Sequence, residues 1–165
     1  VTNGEHGSGM THVGADGRPR MVDVGEKAVT ARGARAEAFV RMSAALLELV
    51  RADALGKGSV RDVARLAGIM AAKRTADLIP LCHPLALDHA EVSVEVVEGG
   101  VRIEAEVRTQ GRTGVEMEAL AAAAVAALTV IDMGKAVDRG MVVEGLRVVE
   151  KWGGRSGHYR AEGGR

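Results

Sequence analysis

The chain has 165 residues, 47% of them apolar, which is enough for one domain with a real core. Its 22 basic residues balance 22 acidic ones, arguing against a general nucleic-acid or membrane-surface binder. Phe39, Trp152 and Tyr159 are too few aromatics for a base-stacking sheet, and Cys82 alone permits no intrachain disulfide.

A single cysteine fits a reducing compartment. No run of about 18 apolar residues is present, and the polar, glycine-rich start does not read as a signal peptide. A cytoplasmic protein without membrane contact is expected. Residues 1–20, punctuated by Gly4, Gly7, Gly9, Gly14 and Gly17, show no periodicity and read as a flexible arm. One domain is expected over 21–159, with 160–165 fraying.

From Thr30 to Met42, Ala34, Ala36, Ala38, Val40 and Met42 alternate with Arg35, Glu37, Phe39 and Arg41. That period of two predicts a strand in spite of the helix-favouring alanines. Ser43 can cap a short helix with Leu46, Leu49 and Val50 on one face. After Gly56-Lys57-Gly58, the capping box Ser59-x-x-Asp62 predicts a helix to about Thr75, with Val60, Val63, Ala67 and Met70 inward. Val92, Val94 and Val96, the turn Glu98-Gly99-Gly100, and Val101, Ile103, Ala105 and Val107 read as a hairpin. Thr113-x-x-Glu116 is a second capping box, opening an alanine-rich helix over about Val115 to Lys135. A final strand covers about Met141 to Lys151. The order β-α-α-β-β-α-β predicts an α+β, ferredoxin-like sandwich: a four-stranded antiparallel sheet, helices on one face, and one added helix. The other sheet face is expected to carry apolar residues such as Phe39 and to be buried by self-association.

The most informative stretch is Lys73-Arg-Thr-Ala-Asp-Leu-Ile-Pro-Leu-Cys-His-Pro-Leu85. Its prolines hold Ile79 and His83 extended, so the imidazole sits on a stiff loop suited to a ligand wall. Against 17 Arg there are only five Lys: Lys27, Lys57, Lys73, Lys135 and Lys151. Where Arg is the default cation, a retained Lys suggests proton exchange, which a guanidinium cannot perform near neutral pH. Cys82, His83 and His89 are too few and poorly spaced for zinc, and Cys82 reads better as a small buried side chain than as a nucleophile. Lys57 precedes a helix N-terminus between two glycines, where an anion could bind; an exposed turn lysine is the plain alternative. Capping and the helix dipole account for Glu116 but not for Glu118. Asp132 and Lys135 are either a surface ion pair or, given the alanines around them, a buried pair able to move protons. Lys151-Trp-Gly-Gly-Arg-Ser-Gly157 suits a phosphate clamp, or is a solvated tail. Together these residues describe a cationic pocket with proton-transfer groups, and so a phosphorylated substrate rich in hydrogen bonds.

Met21-Val-Asp-Val24, Lys57-Gly58, Ala67-Gly-Ile-Met-Ala-Ala-Lys-Arg-Thr75, Asp77-Leu-Ile-Pro-Leu-Cys-His-Pro-Leu85, Thr113-Gly-Val-Glu-Met-Glu-Ala-Leu120 and Asp132-Met-Gly-Lys-Ala136 stand in order along the chain. Across about 21–159 they resemble the cyclic pyranopterin monophosphate synthase family, molybdenum cofactor biosynthesis protein C. The resemblance implies a ferredoxin-like homohexamer, a trimer of dimers, with active sites between subunits. It implies conversion of 3′,8-cyclo-7,8-dihydroguanosine 5′-triphosphate to cyclic pyranopterin monophosphate with release of pyrophosphate. Carried onto matching positions, Asp132 is the expected catalytic residue, with Lys57 and Lys135 as proton donors or acceptors. Leu81, Cys82, His83, Met117 and Glu118, with Glu116 beside them, would line the substrate; Arg32, Lys73, Arg74 and Lys151 would hold its triphosphate or base. Gly134 and Trp152 depart from the family pattern, the latter at the phosphate end beside Lys151. No cofactor is called for; whether Mg²⁺ travels in with the triphosphate stays open. The competing reading is a non-enzymatic nucleotide-sensing module, since a fold does not fix function. Asp132→Asn separates the two by sparing binding while abolishing conversion in an enzyme.

Overall fold

A computed structural model describes residues 17–155 and 157–162. The elements are β1 (Thr30–Arg41), α1 (Ala44–Arg51), α2 (Val60–Ala72), α3 (Thr75–Leu78), β2 (His89–Val97), β3 (Gly100–Gly111), α4 (Glu116–Gly134), β4 (Val142–Trp152) and β5 (Tyr159–Arg160). They form one sheet in the order β2-β3-β1-β4-β5, every neighbouring pair antiparallel. The ferredoxin-like sandwich is therefore present, with five strands rather than four. In the added strand Tyr159 and Arg160 pair with Lys151 and Glu150, and the Ala161 N–H donates to the Val149 carbonyl at 2.8 Å. Arg160, expected at the start of a frayed end, is thus tied to the sheet. Most of the N-terminal arm lies outside the described residues.

Alternation overrides propensity in β1. Ala34, Ala36, Ala38 and Val40 point into the core and are at most 2% exposed. Their small size lets α4 approach closely, and α4 answers with buried Ala119, Ala122, Ala123, Ala126 and Ala127. Small side chains facing small side chains bring backbones together, so the core is filled by many short contacts. By length and composition α4 could cross a membrane, yet half of that stretch is buried in this core. The expected caps of the first two helices form: Ser43 Oγ accepts from the Leu46 N–H, and Ser59 Oγ from the Asp62 N–H. Helix α2 ends at Ala72, short of the expected Thr75, which opens α3 instead. The Thr75 hydroxyl donates to the carbonyls of Ala71 and Ala72 at 3.2 and 3.1 Å, closing the end of α2.

Two expectations are overturned. The inward face of α2 is Val60, Ala64, Gly68 and Ala71, whereas Val63 and Met70 are exposed and Ala67 only half-buried. The reason is spacing: a Cβ at Gly68 would lie 2.8 Å from the Ala122 carbonyl, so α2 and α4 meet too closely for Val or Met between them. The uncovered sheet face is likewise not apolar. It is laced by ion pairs, Arg35 with Glu106 at 2.6 Å, Arg147 with Glu37 at 2.7 Å and Arg41 with Glu144 at 2.7 Å, and Phe39 among them is half-buried. Exposed apolar side chains occur on β4 and β5, at Val142, Leu146 and Tyr159, and also on the helix layer. Val63, Leu66 and Met70 line one face of α2, and Met117 and Leu128 stand exposed on α4.

Candidate active site

Loop 79–88 joins α3 to β2, and its first part shares a cavity with the start of α4. Ile79 is extended (φ −114°, ψ 107°), as a residue before proline should be. Leu81, Cys82 and His83 then line one wall of a cavity of about 430 Å³, opposite Glu116, Met117 and Glu118, with Lys27 at its side. Glu118 is only 4% exposed. Burial pushes its carboxyl up to about 7, a backbone N–H opposes the rise, and the neighbouring Glu116 charge adds to it. The residue that capping could not explain is thus a carboxyl poised to hold or release a proton near neutral pH. Cys82 is half-buried rather than fully buried, and that burial, with the Glu118 charge, pushes its thiol up.

A second cavity of about 290 Å³ adjoins the first and shares Lys27, Thr113, Gly114 and Glu116 with it. Its walls carry Arg32, Arg112, Lys151 and Arg155, beneath the Trp152 indole. The indole lies over Gly33, where a Cβ would stand 2.0 Å from a ring carbon. Gly153 and Gly154 both have positive φ, which turns the chain back so that Arg155 reaches the same pocket. The expected cap of α4 does not form: its N-cap is Val115 and makes no side-chain hydrogen bond. Glu116 instead accepts a hydrogen bond from Lys151 Nζ at 2.9 Å. The first-turn N–H groups of α4 therefore keep no side-chain cap beside a cationic pocket.

A third hollow holds Lys73 and Arg74 and shares His83, Leu85 and Glu118 with the first cavity. Ten expected site residues thus line one continuous cleft: Arg32, Lys73, Arg74, Leu81, Cys82, His83, Glu116, Met117, Glu118 and Lys151. It is strongly cationic at one end and carries an imidazole and a buried carboxyl further along.

The other three lie elsewhere. Lys135 Nζ donates to Asp132 Oδ1 at 2.6 Å, while Lys57 Nζ donates to the Asp132 carbonyl at 3.1 Å and sits 3.6 Å from Oδ2. The Lys135 hydrogen bond, then the two ammonium charges, hold the Asp132 carboxyl below its usual range. The buried pair is ruled out, because both side chains are 60% exposed. At 1.5 Å per residue, Asp132 stands about 24 Å along α4 from Glu116. Within one chain, the trio and the cleft occupy opposite ends of the same helix.

Sequence alone did not single out Arg112, offered Arg155 only as part of the 151–157 phosphate-clamp segment, and gave Lys27 no role of its own. Lys27 carried a usable signal as one of only five lysines; Arg112 follows a glycine and could not be told from an ordinary surface arginine. Among the described residues no group of three or more His, Cys, Asp or Glu gathers as a metal site would.

The MoaC family model matches residues 21–154, most of the described domain. The chain belongs to the MoaC family. It is also 59% identical over 155 residues to the cyclic pyranopterin monophosphate synthase of Methylobacterium sp. (strain 4-46), covering 93% of this chain and 97% of that protein. The Lys57–Asp132–Lys135 trio and the cleft walls named above, Arg155 excepted, fall inside the matched span.

Proposed function

We propose that this protein is a cyclic pyranopterin monophosphate synthase of molybdenum cofactor biosynthesis. It converts 3′,8-cyclo-7,8-dihydroguanosine 5′-triphosphate to cyclic pyranopterin monophosphate and releases pyrophosphate. The observation that carries the reading is the single cleft, cationic at the end that would take the triphosphate and lined by His83 and Glu118 where a purine-derived ring would lie. Membership of the MoaC family and the similarity to a named synthase support the same reaction.

The chemistry opens the imidazole-derived ring, rebuilds it as a pyrazine and closes a cyclic phosphate as pyrophosphate leaves. Each stage moves protons, and the departing pyrophosphate needs cations. In this reading Asp132 keeps Lys135 charged and oriented, and Lys57, hydrogen-bonded to the Asp132 carbonyl, exchanges protons with the substrate. Glu118 is a second proton store, on the base side. No resident cofactor has a role, and any Mg²⁺ enters with the triphosphate.

The trio and the cleft work together only if neighbouring subunits bring them together. A homohexamer, a trimer of dimers with sites between subunits, does this and also covers the exposed apolar faces of α2 and α4. The single half-buried cysteine suits work in the cytoplasm.

The test measures pterin formation and pyrophosphate release from the cyclised GTP substrate, with wild type and Asp132→Asn side by side. Turnover lost in the variant while substrate still binds is the expected result. A folded wild type that binds the substrate without converting it would overturn the enzyme reading in favour of a nucleotide sensor.

A further inference from the structure

The cationic cavity holds one carboxylate among its charged walls. Lys27, Arg32, Arg112, Lys151 and Arg155 surround Glu116. This carboxylate does not cap its helix, since the N-cap Val115 makes no side-chain bond and Glu116 is engaged by Lys151. It is folded back over Gly114, where a Cβ would stand 1.9 Å from Glu116 Oε2, so its position depends on glycine there. The side chains of Glu116 and Lys151 are 31% and 30% exposed, so a solute entering the cavity can reach both.

We propose that Glu116 is a displaceable counter-ion for the polyphosphate end of the cleft: in the empty site it holds the Lys151 ammonium, and the pyrophosphate portion of the substrate takes its place. The proposal rests on the function argued above and adds how the leaving group gets out. Five cations around a small cavity would hold free pyrophosphate strongly, and a product so held slows turnover. A carboxylate that can return to Lys151 competes with the product for the same ammonium. It weakens pyrophosphate binding, and so favours release. The exchange is non-covalent: Lys151 trades a carboxylate oxygen for a phosphate oxygen and keeps its proton.

Inorganic pyrophosphate is the probe. Its dissociation constant, and its inhibition of the complete reaction, are measured for wild type, Glu116→Gln, Lys151→Gln and the double variant. Removing the competing charge in Glu116→Gln is expected to tighten pyrophosphate binding about twofold to fivefold, the upper range for one partly exposed ion pair. kcat should fall as release slows, and KM should fall with it. Lys151→Gln should weaken pyrophosphate binding, and adding Glu116→Gln to it should restore much less than it gains alone. Pyrophosphate bound equally or more weakly by a folded Glu116→Gln overturns the proposal, because Glu116 would then merely orient Lys151. So does a wild type that turns over substrate yet shows no pyrophosphate inhibition. Should the Gln variant fail to fold, Glu116→Ala carries the same expectation and the same refutation. A wild type that shows the predicted pyrophosphate signature but never converts the substrate would sink the proposed reaction and leave the counter-ion in place.

Discussion

Burying Glu118 makes the stability of this protein depend on pH in a direction opposite to most carboxylates. Its carboxyl rises from an ordinary value of 4.5 to about 7 in the fold. Below about pH 4.5 the group is protonated in both the folded and unfolded chain, so its burial carries no ionic cost. Between about 4.5 and 7 the unfolded chain releases the proton while the folded one keeps it, and stability falls as pH rises. Above about 7 both forms are ionised and the loss is complete. At about 1.4 kcal/mol per unit, this group alone removes about 2–3 kcal/mol of stability between about pH 5 and pH 8. Glu118→Gln keeps the shape and cannot ionise. Urea unfolding of both proteins, at one protomer concentration and about pH 5 and pH 8, isolates the effect as a difference of differences. The depressed Asp132, Asp138 and Glu150 carboxyls act in the opposite sense, losing their contribution as pH falls through values below their ordinary range. They are unaffected by the substitution and stay ionised across this window. The variant should lose about 2–3 kcal/mol less than wild type on going to the higher pH. Parallel pH dependence in the two proteins would refute a proton held by Glu118 in the fold.

Lys57→Arg keeps the charge beside Asp132 but removes proton exchange, and turnover should fall at least about a hundredfold with the melting temperature little changed; near-normal turnover would rule out that role. Gly33→Ala drives a methyl into the Trp152 indole and should cost about 1–3 kcal/mol in unfolding measurements. Because Trp152 is the sole tryptophan, its emission should shift as the ring is pushed toward solvent. His83→Ala and Asp132→Asn subunits, each inactive alone, should regain on the order of a quarter of wild-type turnover when unfolded and refolded together one to one, if cleft and trio come from different copies. Mixtures that stay inactive would place the whole site within one chain.

Much of the fold was legible because the alternation in β1 and the hairpin is strict, and because Ser43 and Ser59 cap where their spacing says. The misreadings of α2 and of the sheet face share one cause. In α2, Val63 and Met70 are more hydrophobic than Ala64 and Gly68, and a reading by hydrophobicity turns them inward. The size of the neighbours decided otherwise: α4 presents alanines and a backbone carbonyl to Gly68, leaving room for nothing larger. The same preference misled at Phe39, where charged cross-strand partners govern the sheet face. Glu116 misled for a different reason. Thr113-x-x-Glu116 satisfies a local capping pattern, but Lys151 lies 35 positions away in sequence, and no local pattern can announce it. Glu118 was visible only as a residue without a local explanation, which is how a buried carboxyl looks before its surroundings are known.

Helix α4 ties these observations together. Its first turn supplies Glu116, Met117 and Glu118 to the cleft, and its last supplies Asp132, with Lys135 at the C-cap. Its inner face is alanine because β1 and α2 pack against it at short range. Its outer face retains Leu128 and Met117, which a polar-faced surface helix would have replaced. A helix apolar on nearly all sides, with chemistry at both ends, is hard to explain in an isolated subunit. Each end of it can serve a different site if copies of the chain pack through that outer face. In the proposed hexamer the apolar surface and the separation of cleft from trio would have one cause: the association that buries the helix would also complete the active site.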